Sequence, residues 1–510
     1  MRFDPAILLD NPILTKHARS RLRLGELAPW VVVVLVLCLV IRWAGQAFDL
    51  FIQGTALAFL LGLQAILLVF VGATQVGGAI GGARASGIID FHRVSPLPSS
   101  WMTLGFFLGA PIREYVLFAC TLPFAMLLGV LSSPGFWGMI QVEIPLLFGA
   151  WILHAVALLT SLSSRKPRGN TRGGIIGIVI LALILGQPIG TGIWFGIRRL
   201  EGTDLTLDFF GIPVYWLLFV VAYQAVALAF LLIAAGRKMR SERAHAYSKR
   251  LAIACMTAAT VLAVGGSWNF KQYATTVLVL LYLLIFLGMV LTSTITPGRA
   301  EYVKALRRAL HRGHRRPSPW EDAGTNRIAV FILCAILFLG TMAVWEFVGD
   351  QPPIDSATMA IGVFVLAYYG LAQQYFLLRF PKSGPAITAL FIFLVWLVPV
   401  LVGSLAAWSD LNRDLYRIVL GISPVTGIAL SSGLVDASDA GPSRLAAILP
   451  AIAFAFVFNN LLVAYRRKID LAVRSAAGGL HEPGPFDDLD RAPDVPRPGA
   501  SQEAIGGGHE

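Results

Sequence analysis

Apolar blocks of roughly 20 residues, repeated along the chain, constrain this sequence more than any other feature. A helix of that length crosses a hydrocarbon core of about 30 Å. Inside lipid the backbone must satisfy its own hydrogen bonds, so helices are the spanning element for runs of this kind. Twelve candidate spans can be drawn, at 30–46, 52–75, 104–131, 139–161, 174–197, 212–235, 251–267, 273–293, 328–347, 357–378, 385–408 and 445–465. Composition agrees. Of 510 residues, 56% are hydrophobic and only 14% charged, against roughly 25% charged in soluble domains. The expected fold class is an all-α integral membrane protein with about twelve transmembrane helices. The first block, Trp30 to Ile41, has no small-residue cleavage site after it and reads as a retained span.

Basic residues orient the spans. With the N-terminus inside, seven of the 41 Lys and Arg fall in outer loops or span ends: Arg42, Arg198, Arg199, Lys271, Arg413, Arg417 and Arg444. The remaining 34 fall in cytoplasmic segments. Basic loops resist translocation, so both termini are expected in the cytoplasm of a cell (inner) membrane protein. This also accounts for the net charge of +12 without a nucleic-acid partner. Cys38, Cys120, Cys255 and Cys334 each lie in an apolar block, with no CxxC pair or Cys/His cluster. Neither a disulfide framework nor a metal site is indicated.

The loops have a rhythm. A short outer link, a long inner segment (76–103), a small basic loop (Arg165 to Arg172) and an outer loop (198–211) recur as the link near Lys271, segment 294–327, Arg379 to Lys382, and 409–444. Six spans restore the starting orientation. The order therefore predicts two parallel six-helix repeats, 1–250 and 251–475, about an axis along the membrane normal. Residues 476–510 are rich in Pro, Gly and acidic residues and predict a disordered cytoplasmic tail.

Ionisable and polar groups within spans mark candidate pathway positions, since they are costly in lipid. These are Arg113, Glu114, His154 and Gln187. Arg113 and Glu114 make the third span irregular and move its expected membrane portion toward Tyr115. Glu143 and Glu346 lie near span ends, within reach of headgroup water. Gln187-Pro188 breaks the fifth span.

Two inner segments carry motifs. In the first, Asn11 can cap a helix begun by Pro12. Ile13, Leu14, Ala18 and Leu22 recur at helical spacing, with Lys16, Arg19, Arg21 and Arg23 around them. That pattern predicts a helix in the inner interface, apolar side in lipid and basic side toward anionic headgroups. The second runs from Gly82 to Pro98, a short amphipathic stretch closed by Ser95-Pro96. In the other half, Ala300, Val303, Leu306 and Leu310 form an apolar stripe, with Lys304, Arg307, Arg308 and Arg312 on the polar side. This stretch is either a second docking helix or one held by lipid headgroups.

Taken together, the first two segments resemble the membrane permeases of ATP-binding-cassette (ABC) exporters of the second type. Those begin with Asn-Pro, two apolar residues and a basic run, matched here by Asn11, Pro12, Lys16, Arg19, Arg21 and Arg23, with His17 where Glu is usual. Their coupling segment is matched by Arg84, Gly87, Asp90, Ser95, Pro96 and Leu97, with Ala83 for Glu and Ile88 for Thr. Arg93 lies within the same segment. The motif match covers residues 11–98, and Ile422-Ser423-Pro424-Val425 is a further echo. Family permeases have six spans and pair, so this chain resembles two such subunits fused. The resemblance implies coupling to a separate ABC ATPase dimer through 84–97, and through Arg299, Lys304, Arg307 and Arg308 in the second half. This chain has no GxxxxGK[ST] loop and no soluble segment long enough for a nucleotide-binding domain. ATP would act through the separate subunit, with no cofactor on this chain. The alternatives are an ion-coupled secondary transporter, a membrane-embedded lipid-modifying enzyme, and a non-transporting regulatory protein.

Overall fold

The computed structural model describes residues 10–47, 55–131, 135–164, 206–268, 274–346, 356–408, 413–432 and 440–478. The candidate fifth span with Gln187, and nearly all of the expected tail, lie outside them. Among the described residues, ten helices are long and apolar enough to cross a membrane. In chain order they are α2 (Leu24–Ala47), α3 (Thr55–Ala85), α6 (Ile112–Leu131), α7 (Gly135–Ser163), α8 (Trp216–Arg240), α9 (Lys249–Gly266), α10 (Ala274–Ile295), α13 (Ser356–Arg379), α14 (Gly384–Trp408) and α17 (Ala440–Gly478). The ninth expected span is the apolar helix α12 (Arg327–Glu346). Shorter helices are α1 (Pro12–Arg21), α4 (Ile88–Val94), α5 (Ser99–Gly109), α11 (Arg299–His311), α15 (Arg413–Ile422) and α16 (Pro424–Ser431).

Several spans differ from expectation for local reasons. The third is two helices, α5 and α6. Pro111 has no N–H to continue the ladder, and its ring would meet the carbonyl one turn back. The second runs on to Ala85, with a π-helical stretch over Ile66–Gly72. Its last part is rich in Gly and Ala, and it lies close against α7, where Ser161 Oγ donates to the Gly77 carbonyl at 2.9 Å. Residues 212–215 are not helical. They pair as β2 (Ile212–Tyr215) with β1 (Thr206–Phe209) in an antiparallel hairpin. Its two-residue turn has positive φ at Phe210 and Gly211, the geometry that matches strand twist. Phe209 packs on Phe219 of α8 and Phe210 on Trp268, which follows α9.

The packing pairs are systematic. In the first half α2 packs on α3 and α6, α3 also on α6 and α7, α6 on α7, and α7 on α8. In the second, α9 packs on α10 and α12, α10 also on α12 and α13, α12 on α13, and α13 on α17. The halves meet through α8 and α9.

Candidate functional site

Residues 241–248, between α8 and α9, gather the polar ends of both halves into one network. Arg84, at the end of α3, donates to the carbonyls of Ser161 and Ser164, both at 2.7 Å, and pairs with Glu242 at 2.9 Å. Its side chain is 9% exposed. Helix α3 stops at Ser86 because Gly87 takes the left-handed conformation, φ +73°. Glycine adopts it without the clash a Cβ brings. The chain then turns into α4. Arg93 of α4 donates to the Met239 and Lys238 carbonyls at the end of α8 and pairs with Asp90 at 2.7 Å. A guanidinium there satisfies carbonyls that the helix leaves open and meets the negative end of its dipole. Ser95 ends α4 in an extended conformation before Pro96.

Arg84 and Arg93 therefore point inward, and the outward face of α4 is different from the one the motif suggests. Asp90, Phe91 and Val94 stand on it, with Phe91 68% and Val94 85% exposed. Phe91 and Val94 are one helical turn apart, which was the available sequence signal for this face.

The second half is anchored in its own way. Arg237 of α8 pairs with Asp322 at 2.7 Å. Lys249, fully buried at the start of α9, gives its three N–H groups to the carbonyls of Pro319, Glu321 and Thr325 at 2.8, 2.7 and 3.1 Å. Helix α11 is closed at its first turn by a bond from Gly298 N to Glu301. The residues it buries are Tyr302, Ala305, Leu306 and Ala309, while Ala300 is exposed. The stripe is thus rotated from the expected 300/303/306/310, because Tyr302 is drawn toward α17. Its hydroxyl donates to Asp470 at 2.8 Å, and Arg316 holds the other carboxylate oxygen at 2.9 Å. Lys304, Arg307 and Arg308 are exposed on the far side, and Arg299 at the first position is half-buried.

His245 links the two halves at this end. One ring nitrogen lies 3.1 Å from the Thr294 carbonyl and the other 3.2 Å from Glu301. Both partners only accept, so the ring must supply two protons. Burial opposes the charge and is the largest single influence, but the Glu301 carboxylate, the Thr294 carbonyl and Asp322 together outweigh it and raise the His245 pKa above 6.5. The same contact lowers Glu301 below 4.5.

The N-terminal helix forms as expected but is covered by protein. Asn11 Oδ1 accepts from Ile13 N and Leu14 N at 3.0 and 3.2 Å, and its Nδ2 donates to the Trp101 carbonyl at 2.7 Å. Gly105 and Gly109, one turn apart on α5, let Asn11, Ile13, Leu14 and His17 approach closely. The apolar side thus meets α5 rather than lipid. Lys16, Arg19 and Arg23 are exposed, and Arg21 donates to Gln75 at 2.7 Å. Burial, then Arg21 and Lys16, lower the His17 pKa to about 4.

Three of the four pathway candidates lie among the described residues. Arg113 and buried Glu114 pair at 2.8 Å, and Arg113 stacks over Trp30 at 5.2 Å. His154 Nε2 lies 2.7 Å from the Leu68 carbonyl in the π-helical stretch and Nδ1 3.0 Å from the Tyr115 hydroxyl. A carbonyl can only accept, so Nε2 carries the hydrogen. His154 thus serves as an interhelical tie. Glu143 does not reach the surface. It is 5% exposed, contrary to the expectation that it meets headgroup water. The Glu346 side chain lies outside the described residues.

These features define a multi-pass α-helical membrane protein. No family model, curated protein or solved structure matches the chain.

Proposed function

We propose that this chain is the membrane permease of an exporter driven by a separate ABC ATPase dimer. In this reading it has twelve spans in two parallel six-span halves, with both termini and the polar network in the cytoplasm of a cell-membrane protein. The repeat is supported by the packing pairs, which follow one pattern in both halves. The basic bias along the sequence supports the orientation.

The observation that carries the reading is mechanical. Two short helices at one end, α4 and α11, are each fastened to the end of a long helix. Arg93 ties α4 to α8, and Tyr302 with Asp470 ties α11 to α17. A push from an ATPase closing on ATP would pass through these ties into the spans instead of bending a loop. Asp90, Phe91 and Val94 would face the ATPase from the first half, and Lys304, Arg307 and Arg308 from the second. Membrane lipids surround the spans.

A cysteine at Val94 should crosslink to a co-purifying ATPase, and Phe91→Asp should reduce coupled ATP turnover tenfold or more with normal insertion. Arg93→Gln should retain the ATPase contact yet uncouple turnover from transport. Saturable ATP hydrolysis by the purified chain alone would sink the reading. So would crosslinking at Ser241 but never at Val94.

A further inference from the structure

The interior of the first half holds a polar cluster with too few hydrogen-bond donors. Glu143 lies on α7, Gln64 on α3 and Thr121 on α6, at 5%, 0% and 0% exposure. Gln64 Nε2 donates to Thr121 Oγ1 at 3.0 Å, and Thr121 Oγ1 to the Phe118 carbonyl at 2.7 Å. Among the described residues, Gln64 Oε1 has no partner, and the Glu143 carboxyl stands beside the Gln64 amide with neither of its oxygens in a well-formed hydrogen bond. Turning the Gln64 amide over does not repair this. The amide would then offer the carboxylate at most one N–H, and the other carboxylate oxygen would stay without a donor.

A buried carboxylate is normally held by a cation or by several N–H groups. Neither is at hand. The helices packed on α7 are α3, α5, α6 and α8. Their charged groups are engaged elsewhere or exposed. Arg84 is paired with Glu242, Arg113 with Glu114, and Arg237 with Asp322. Lys238 donates to the Glu242 carbonyl, and Arg240 is exposed. Helix α5 carries no ionisable side chain. Of the uncharged titratable groups, Tyr115 is hydrogen-bonded to His154, and Cys120 and Tyr223 bring no positive charge. Arg42 sits on α2, which packs on α3 and α6, and its buried Nη1 has no partner among the described residues, but the groups acting on the Glu143 carboxyl are its burial and the Gln64 amide, not this charge.

We propose that this cluster is a proton-binding site in the membrane interior. Glu143 takes up one proton to become a carboxylic acid, and its O–H donates to the Gln64 amide oxygen. One proton then removes the buried charge and satisfies the amide oxygen. The site joins α3 to α7, the pair also tied by His154 to the Leu68 carbonyl and Ser161 to the Gly77 carbonyl. It rests on these contacts alone and stands whether or not the chain couples to an ATPase.

The test is infrared spectroscopy of the full chain in lipid bilayers at neutral pH, comparing wild type, Glu143→Gln and Gln64→Leu. Glu143→Gln keeps shape and donor capacity, and its folding is checked by size-exclusion elution. The wild type should show a protonated-carboxyl C=O stretch that Glu143→Gln loses completely. In Gln64→Leu, or in the smaller change Gln64→Asn if the first fails to fold, the band should move to higher frequency as the acceptor is lost or withdrawn. Identical spectra for folded wild type and Glu143→Gln in this region would overturn the proposal. So would loss of the wild-type band on adding sodium or potassium at fixed pH, which would make the ligand a metal cation.

Discussion

Asn11 shows how far a single residue can be read in advance. The Asn11-Pro12 start predicted a capped helix, and the cap bonds to Ile13 and Leu14 are present. Such bonds depend on neighbours two and three residues away, so sequence suffices for them. The bond to Trp101 spans 90 residues and was not legible. Asn11→Ala should therefore cost more than an ordinary cap, roughly 2 kcal/mol, seen as a lower unfolding temperature with earlier proteolysis near Arg21. Gly87→Ala forces a Cβ into the left-handed region and should cost about 1–2 kcal/mol. Gly87→Asn should recover part of the loss, because Asn tolerates this conformation better. Equal unfolding temperatures for Gly87→Ala and wild type would contradict the turn as described.

At the scale of elements, amphipathic stripes were only partly legible. For α11 the sequence pattern favoured Ala300, Val303, Leu306 and Leu310, yet the buried set turns toward Tyr302. Periodicity counts apolar side chains. It does not foresee that a tyrosine hydroxyl finds Asp470, 168 residues on. Lys249 is similar. A Lys at the start of a span reads as a positive-inside flank, but here it closes the 312–326 segment through three carbonyls. Lys249→Met leaves those acceptors without their donor and should cost at least about 3 kcal/mol, with rapid protease cleavage near Arg315.

The His245–Glu301 contact gives α11 a pH dependence whose sign follows from the two shifts. His245 is raised above 6.5, so its contribution is complete below 6.5 and is lost as pH rises through its folded value. Glu301 is lowered below 4.5, so its contribution is present above 4.5 and is lost as pH falls through its folded value. The contact is strongest between these limits. Unfolding temperature measured across pH should show the wild type's advantage over His245→Ala largest at pH 5 to 6, shrinking at pH 9. An advantage independent of pH would contradict a charged His245.

For the whole molecule, the proposed orientation is tested by labelling single cysteines in intact cells. Cysteines at Ser86, Ser241 and Ser318 should react only after permeabilisation, whereas one at Phe210 should react from outside. Efficient external labelling at Ser241 would reverse the molecule. The sequence alone determined that the chain is helical and lies in a membrane, because span length and hydropathy are set by the bilayer. It also located the capped start of α1, which is local. Only the tertiary structure decided that Arg84 and Arg93 face inward, that α1 rests on α5, and that Glu143 is enclosed with Gln64. Those outcomes depend on which helix faces which, and hydrophobic periodicity cannot distinguish lipid from another helix as the cover for an apolar face.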